Sequence, residues 1–154
     1  MLPSFFTLAI SQALIPIVSK NYSNGRKEYT KKKIKQAILF SLVIGIPSTI
    51  LFITIPDIFL KLVYNTPEGI NYIRFMAPIF LLHYIQTPLS SSLQAMGRAK
   101  DSMCGTIMGV SIKLITVVIF CNLKIGLWGL ILSTSINVIV VTIYDFLKVK
   151  SALN

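Results

Sequence analysis

The sequence predicts an all-α, polytopic transmembrane helix bundle of about five spans, and three observations carry that prediction. Apolar residues make up 54% of the chain and charged residues only 13%, where a globular domain in water carries about 25% charged residues. The mean hydropathy is +0.74, and the apolar residues fall into blocks long enough to cross a hydrocarbon core, which takes roughly 17–25 residues of helix. The basic residues gather in alternate connections between those blocks. No block alternates apolar and polar in the two-residue manner of a barrel wall. Helices satisfy their own backbone groups in lipid, so an all-helical bundle follows.

Spans are expected at 2–19, 37–60, 72–95, 102–123 and 125–147 of one transmembrane domain, 1–154, with 20–36 as a cytoplasmic basic loop. The first block is short, contains Pro3 and Pro16, and lacks the basic leader and small-residue cleavage site of a signal peptide. The next stretch, "SKNYSNGRKEYTKKKIKQ", carries seven of the chain's fifteen Lys and Arg against one acid, Glu28. Within it Tyr22–Gly25 reads as a turn, and 28–35 as a short amphipathic helix leading into the second span. Eleven of the fifteen bases fall on this side of the bundle, three (Lys61, Arg74 and Lys124) on the other, and Lys113 lies inside a block. Such asymmetry orients the bundle with its basic side in the cytoplasm, as a multi-pass protein of the cell membrane.

Arg26, Lys27, Lys31, Lys32, Lys33 and Lys35 are therefore read as topology determinants. Contact with anionic lipid adds about 1 kcal/mol for each residue near the surface. Nucleic acid is not an expected partner, because a charge cluster between two spans specifies no groove or base contact. The number of spans is odd, which places Met1 outside with nothing upstream to orient the first span. A chain that begins part-way through a larger bundle, as a fragment or a truncated reading frame, is the expectation.

Polar residues within a span face protein or water rather than lipid tails. In the third block His83, Gln86, Thr87, Ser90 and Gln94 fall within about 100° of arc. Pro78 and Pro88 interrupt the same helix, where Ser90, Ser91 and Ser92 could re-satisfy freed backbone groups. Two readings fit the stripe: one wall of a substrate cavity, or interhelical hydrogen bonding worth about 0.6 kcal/mol per bond.

The fourth block holds Lys113, about ten residues or 15 Å from either end. Its charge at the bilayer centre costs at least about 2.5–3.5 kcal/mol. Ser102, Gly105, Thr106, Gly109 and Thr116 share its stripe, and Gly105 and Gly109 form a GxxxG motif for close helix packing. Lys113 either lines an aqueous cavity that receives an anionic substrate or is paired inside the bundle. Because Asp57, Glu68, Asp101 and Asp145 all sit near span ends, the cavity is preferred. In the fifth block Ser133, Thr134, Asn137 and Tyr144, with Gly126 and Gly129, read as packing.

Enzymatic chemistry has no candidates. The chain has no Gly-rich phosphate loop, and neither paired carboxylates nor a Ser–His–Asp set in its polar parts. Cys104 and Cys121 stand 17 residues apart inside apolar sequence, without metal-ligand spacing. One histidine with no second ligand makes no metal site, and no cofactor is expected.

Several stretches resemble a known family. "ALIPIVSKNYSNG" (13–25) is similar to the turn after a membrane helix in the stage V sporulation protein B group. These are polysaccharide-type flippases of the multidrug/oligosaccharidyl-lipid/polysaccharide exporter superfamily. "KKIKQAILFSLVIGIPSTILFITIPDIFLKLVYN" (32–65) resembles the following helix pair, and "YIRFMAPIFLLHYIQTPLSSSLQAMGRAKDSM" (72–103) the next helix with its cytoplasmic loop. "GVSIK" (109–113) and "GLWGLILSTSIN" (126–137) resemble the two helices after that. The resemblance covers nearly the whole chain and implies part of the C-terminal lobe of a MATE-like fold, two six-helix lobes facing each other in a V. It implies translocation of a lipid-linked oligosaccharide, polysaccharide or peptidoglycan precursor by alternating access. Lys113 would then meet the anionic pyrophosphate of the carrier lipid, and the absent N-terminal lobe is an implied partner beside the membrane lipids. A cation-coupled multidrug exporter of the same superfamily, and a non-transporting membrane scaffold or truncated remnant, are the alternatives.

Overall fold

The computed structural model describes residues 2–55, 70–123 and 125–153. They form five helices: α1 (Leu2–Ser23), α2 (Lys27–Thr54), α3 (Ile70–Ala95), α4 (Ala99–Asn122) and α5 (Leu127–Leu153). There is no strand among the described residues. Three of the helices, α2, α4 and α5, have the length and hydropathy of membrane spans. α3 is as long, at 26 residues, but its polar stripe dilutes its apolar surface. The last residues expected in the second span, 56–60, lie outside the described residues, as do Asp57, Lys61, Glu68 and Lys124.

Two corners at one end of the bundle share a design. After α1, Gly25 takes φ +70°, Gly25 N–H donates to the Tyr22 carbonyl at 3.0 Å, and Arg26 N–H reaches back to the Asn21 carbonyl at 3.0 Å. After α3, Gly97 takes φ +74°, and Arg98 N–H donates to the Leu93 carbonyl at 2.9 Å. Left-handed glycine with a long backward bond satisfies the carbonyls a helix end leaves open. In both cases an arginine follows and the chain re-enters a helix at once. The run 20–36, read from sequence as a basic loop, is therefore helical except at this corner. Lysines are good helix formers, and Lys27–Lys35 simply extend α2 outward from the apolar stretch.

The helices run antiparallel, so the ends of α1, α3 and α5 meet the starts of α2 and α4. A core of Leu14 and Val18, Ile34 and Ala37, Leu89 and Leu93, and Val149 and Ala152 joins four helices at this basic end. Tyr22 donates across it to the Ala152 carbonyl at 3.5 Å. α3 touches all four other helices, and α4 packs chiefly on α5. At the opposite end Trp128 is met edge-on by Tyr72, with ring centroids 4.9 Å apart, and by Phe75 at 5.6 Å. Aromatic rings are favoured at the membrane–water boundary, so this cluster marks the far interface. The outward faces carry Leu39, Phe40, Val43, Leu114, Val118 and Phe146, all more than half exposed. That surface suits lipid and not water.

Small residues let the helices approach. A Cβ on Gly45 of α2 would stand 2.6 Å from the Tyr84 ring of α3, and one on Gly105 of α4 would stand 2.7 Å from the Tyr144 ring of α5. A Cβ on Gly109 would collide with Val141. The α4–α5 seam is built around these two glycines.

Candidate functional site

Between α1 and α3 lies an open groove of about 270 Å³. α3 supplies His83, Gln86, Thr87, Ser90, Ser91 and Gln94, and α1 supplies Leu8 and Gln12. Helical geometry accounts for the wall: spacings of three and four bring side chains to one face, and here they place an imidazole, two amides and three hydroxyls in a column. The His83 and Gln86 side chains lie 3.3 Å apart at Nδ1 and Oε1, a bond that forms when Nδ1 carries the proton. The Thr87 hydroxyl donates to the His83 carbonyl at 3.1 Å, closing the turn. Ser90 and Ser102 hydroxyls meet at 2.6 Å and tie α3 to α4 behind the groove.

The serines after Pro88 do not all serve the backbone. Pro88 has no N–H, so the Tyr84 carbonyl loses its usual partner. Ser92 instead donates to the Pro88 carbonyl at 2.6 Å, and Ser90 leaves the helix for Ser102.

The structure brings His83, Gln86, Ser90 and Gln94 together and places Lys113 elsewhere. Lys113 projects from α4 one turn beyond Gly109, half-buried, without an ion pair among the described residues. Its carbonyl accepts from the Thr116 hydroxyl at 3.0 Å. Gly105 and Gly109 are both buried against α5. The lower part of the Lys113 stripe is thus a packing seam, and the lysine stands half-buried beyond it.

Two residues escaped the sequence reading. Gln12 faces the α3 stripe from α1; as the one amide inside the first apolar block it was visible, but nothing in the sequence paired α1 with α3. Asp145 is fully buried, and neither carboxylate oxygen has a hydrogen-bond partner. Its Oδ1 would lie 3.0 Å from a Cβ on Gly105. The sequence reading placed it only near a span end; the missing side chain of Gly105 lets α5 press Asp145 against α4.

At the mouth of this seam, before the apolar part of α4, Asp101 takes Arg98 Nε at 2.7 Å and Lys148 Nζ at 3.2 Å. The hydrogen bond from Lys148, aided by the Arg98 guanidinium, holds the Asp101 carboxyl below the usual carboxylate range. Among the described residues no group of three or more His, Cys, Asp or Glu is placed to hold a metal ion.

The MatE family model matches residues 1–119 of the chain. The chain belongs to the MatE family. Stage V sporulation protein B of Bacillus subtilis (strain 168) is 31% identical over 112 residues, which is 73% of this chain and 22% of that protein. Sporulation protein YkvU of the same organism is 28% identical over 100 residues, 65% of this chain and 22% of that protein. The chain therefore spans about a fifth of the length of these MatE relatives. No solved structure matches it. As a MatE member with apolar spans, it is a membrane protein, and the groove between α1 and α3 lies within the matched residues.

Proposed function

We propose that the chain is part of a flippase that carries a lipid-linked oligosaccharide, polysaccharide or peptidoglycan precursor across the cytoplasmic membrane by alternating access. Its basic end faces the cytoplasm, and the remainder of the transporter supplies the facing lobe. The observation that carries this reading is the chemistry of the groove. Its polar groups are amides, hydroxyls and one imidazole, side chains that both donate and accept hydrogen bonds. Sugar hydroxyls need that double capacity, whereas a cationic drug would call for a carboxylate and an acyl chain for none of it. Such a groove forms one wall of a passage that the other lobe completes. Lys113, a cation without a partner among the described residues, is assigned to the pyrophosphate of the carrier lipid. The chain binds and moves its substrate and performs no catalysis.

Among the described residues Asp145 is the one feature that speaks for a cation-coupled multidrug exporter instead. It faces Gly105 and is not part of the groove wall, so the flippase reading is preferred.

The test is translocation of a lipid-linked sugar by the full-length transporter in vesicles. Replacing Gln12, Gln86 and Gln94 together by Leu removes three bonding groups, and at about 0.6 kcal/mol each lowers the rate about tenfold or more. Lys113→Ala abolishes translocation and Lys113→Arg preserves it. Unchanged translocation in all of these variants overturns the assignment.

A further inference from the structure

The cations at the basic end divide into two kinds. Arg98 and Lys148 are engaged within the protein, both on Asp101, and Lys148 also lies over the Tyr144 ring, 5.4 Å from its centroid. Lys33 lies over the Tyr29 ring at 5.3 Å. Like Lys20, Arg26, Lys27, Lys100 and Lys150, the trio Lys31, Lys32 and Lys35 is exposed, with no ion pair among the described residues.

Their placement on α2 is specific. The helix turns Thr30, Ile34, Ala37 and Ser41 inward. At 100° per residue Lys32 and Lys35 lie on the opposite side and Lys31 at its flank, roughly 90° from the inward centre, and the next turns of the opposite side present Leu39 and Val43, each 60% exposed. Lys35 stands one turn from Leu39, about 6 Å along the axis. A ligand that satisfies both halves of this stripe is amphiphilic, with an anionic head beside an acyl chain. Lysine stems lying along apolar surface carry their ammonium groups to headgroup level.

We propose that Lys31, Lys32 and Lys35 form a binding face for anionic phospholipid of the inner leaflet, whose acyl chains run along Leu39 and Val43. This depends on α2 crossing the bilayer and not on what is transported. A soluble polyanion would use the lysines but gain nothing from the apolar turns below them.

The test places the chain in phosphatidylcholine nanodiscs with trace spin-labelled phosphatidylglycerol or phosphatidylcholine and compares the motionally restricted fraction of each. The expected result is at least about fivefold preference for phosphatidylglycerol, one lysine's worth of surface attraction, falling as salt is raised. Changing the three lysines to Gln removes the preference, changing them to Arg keeps it, and Lys100→Gln with Lys150→Gln leaves it intact. Equal association of the two lipids with the unmodified chain overturns the proposal, and this readout needs no variant to fold. So does full preference in the Gln variant, or displacement of the labelled lipid by a short single-stranded oligonucleotide.

Discussion

Gly109→Ala puts one methyl group into the tightest point of the α4–α5 seam. The added Cβ collides with Val141, which is only 2% exposed. Overpacking of this kind costs about 1–3 kcal/mol, against a helix-propensity gain of about 1 kcal/mol for replacing glycine by alanine. The net is a loss of up to about 2 kcal/mol. Val141→Ala alone removes two carbons and costs about 1–2 kcal/mol. In the double variant the new methyl occupies the space Val141 vacates, so the two changes couple favourably by more than about 1 kcal/mol. Unfolding in mixed micelles, followed by emission of Trp128, reads this out. Trp128 is the chain's one tryptophan, and its ring contacts with Tyr72 and Phe75 are broken when α5 leaves α3. Losses that add to within about 0.5 kcal/mol, as distant independent sites do, would refute the close-packed seam.

Gly97 holds φ +74° with open space around its missing Cβ. Gly97→Ala therefore costs only backbone strain, about 1–2 kcal/mol, measured in the same unfolding assay. Asp145 is enclosed without a partner, a placement that costs several kcal/mol for an ionised carboxylate. Asp145→Asn should leave the unfolding midpoint unchanged or raise it, and a large drop would show an ionised, paired carboxylate. Asp101 is held below its ordinary value of 3.8 by Lys148 and Arg98. Its tether is complete above that value and fades as pH falls through the depressed one, so an acid-side loss of stability present in the parent should be missing from Asp101→Asn.

Much of the bundle was legible because lipid leaves few solutions. Long apolar blocks give helices, and the His83–Gln94 spacing gives a polar face on α3. What the sequence does not encode locally is which helix meets which. That is why Gln12 was missed as the groove's second wall, why Asp145 was noted only as lying near a span end, and why the stripe of Lys113 was read as one surface. In the structure that stripe changes character along its length, from a glycine seam on α5 to a half-buried lysine. Within the basic run the short helix expected at 28–35 is the start of α2, and the corner at 24–26 is its one break from helix.

The account rests on the groove between α1 and α3 being wet and occupied by substrate in the assembled transporter. With Cys104 and Cys121, both exposed, replaced by Ser, a single cysteine at Gln86 can be probed with an impermeant thiol reagent, using one at Leu39 as the lipid-facing control. The account predicts rapid labelling at 86 that slows when lipid-linked sugar is added, and little labelling at 39 in either condition. Labelling at 86 as slow as at 39, or indifferent to the sugar lipid, would contradict it.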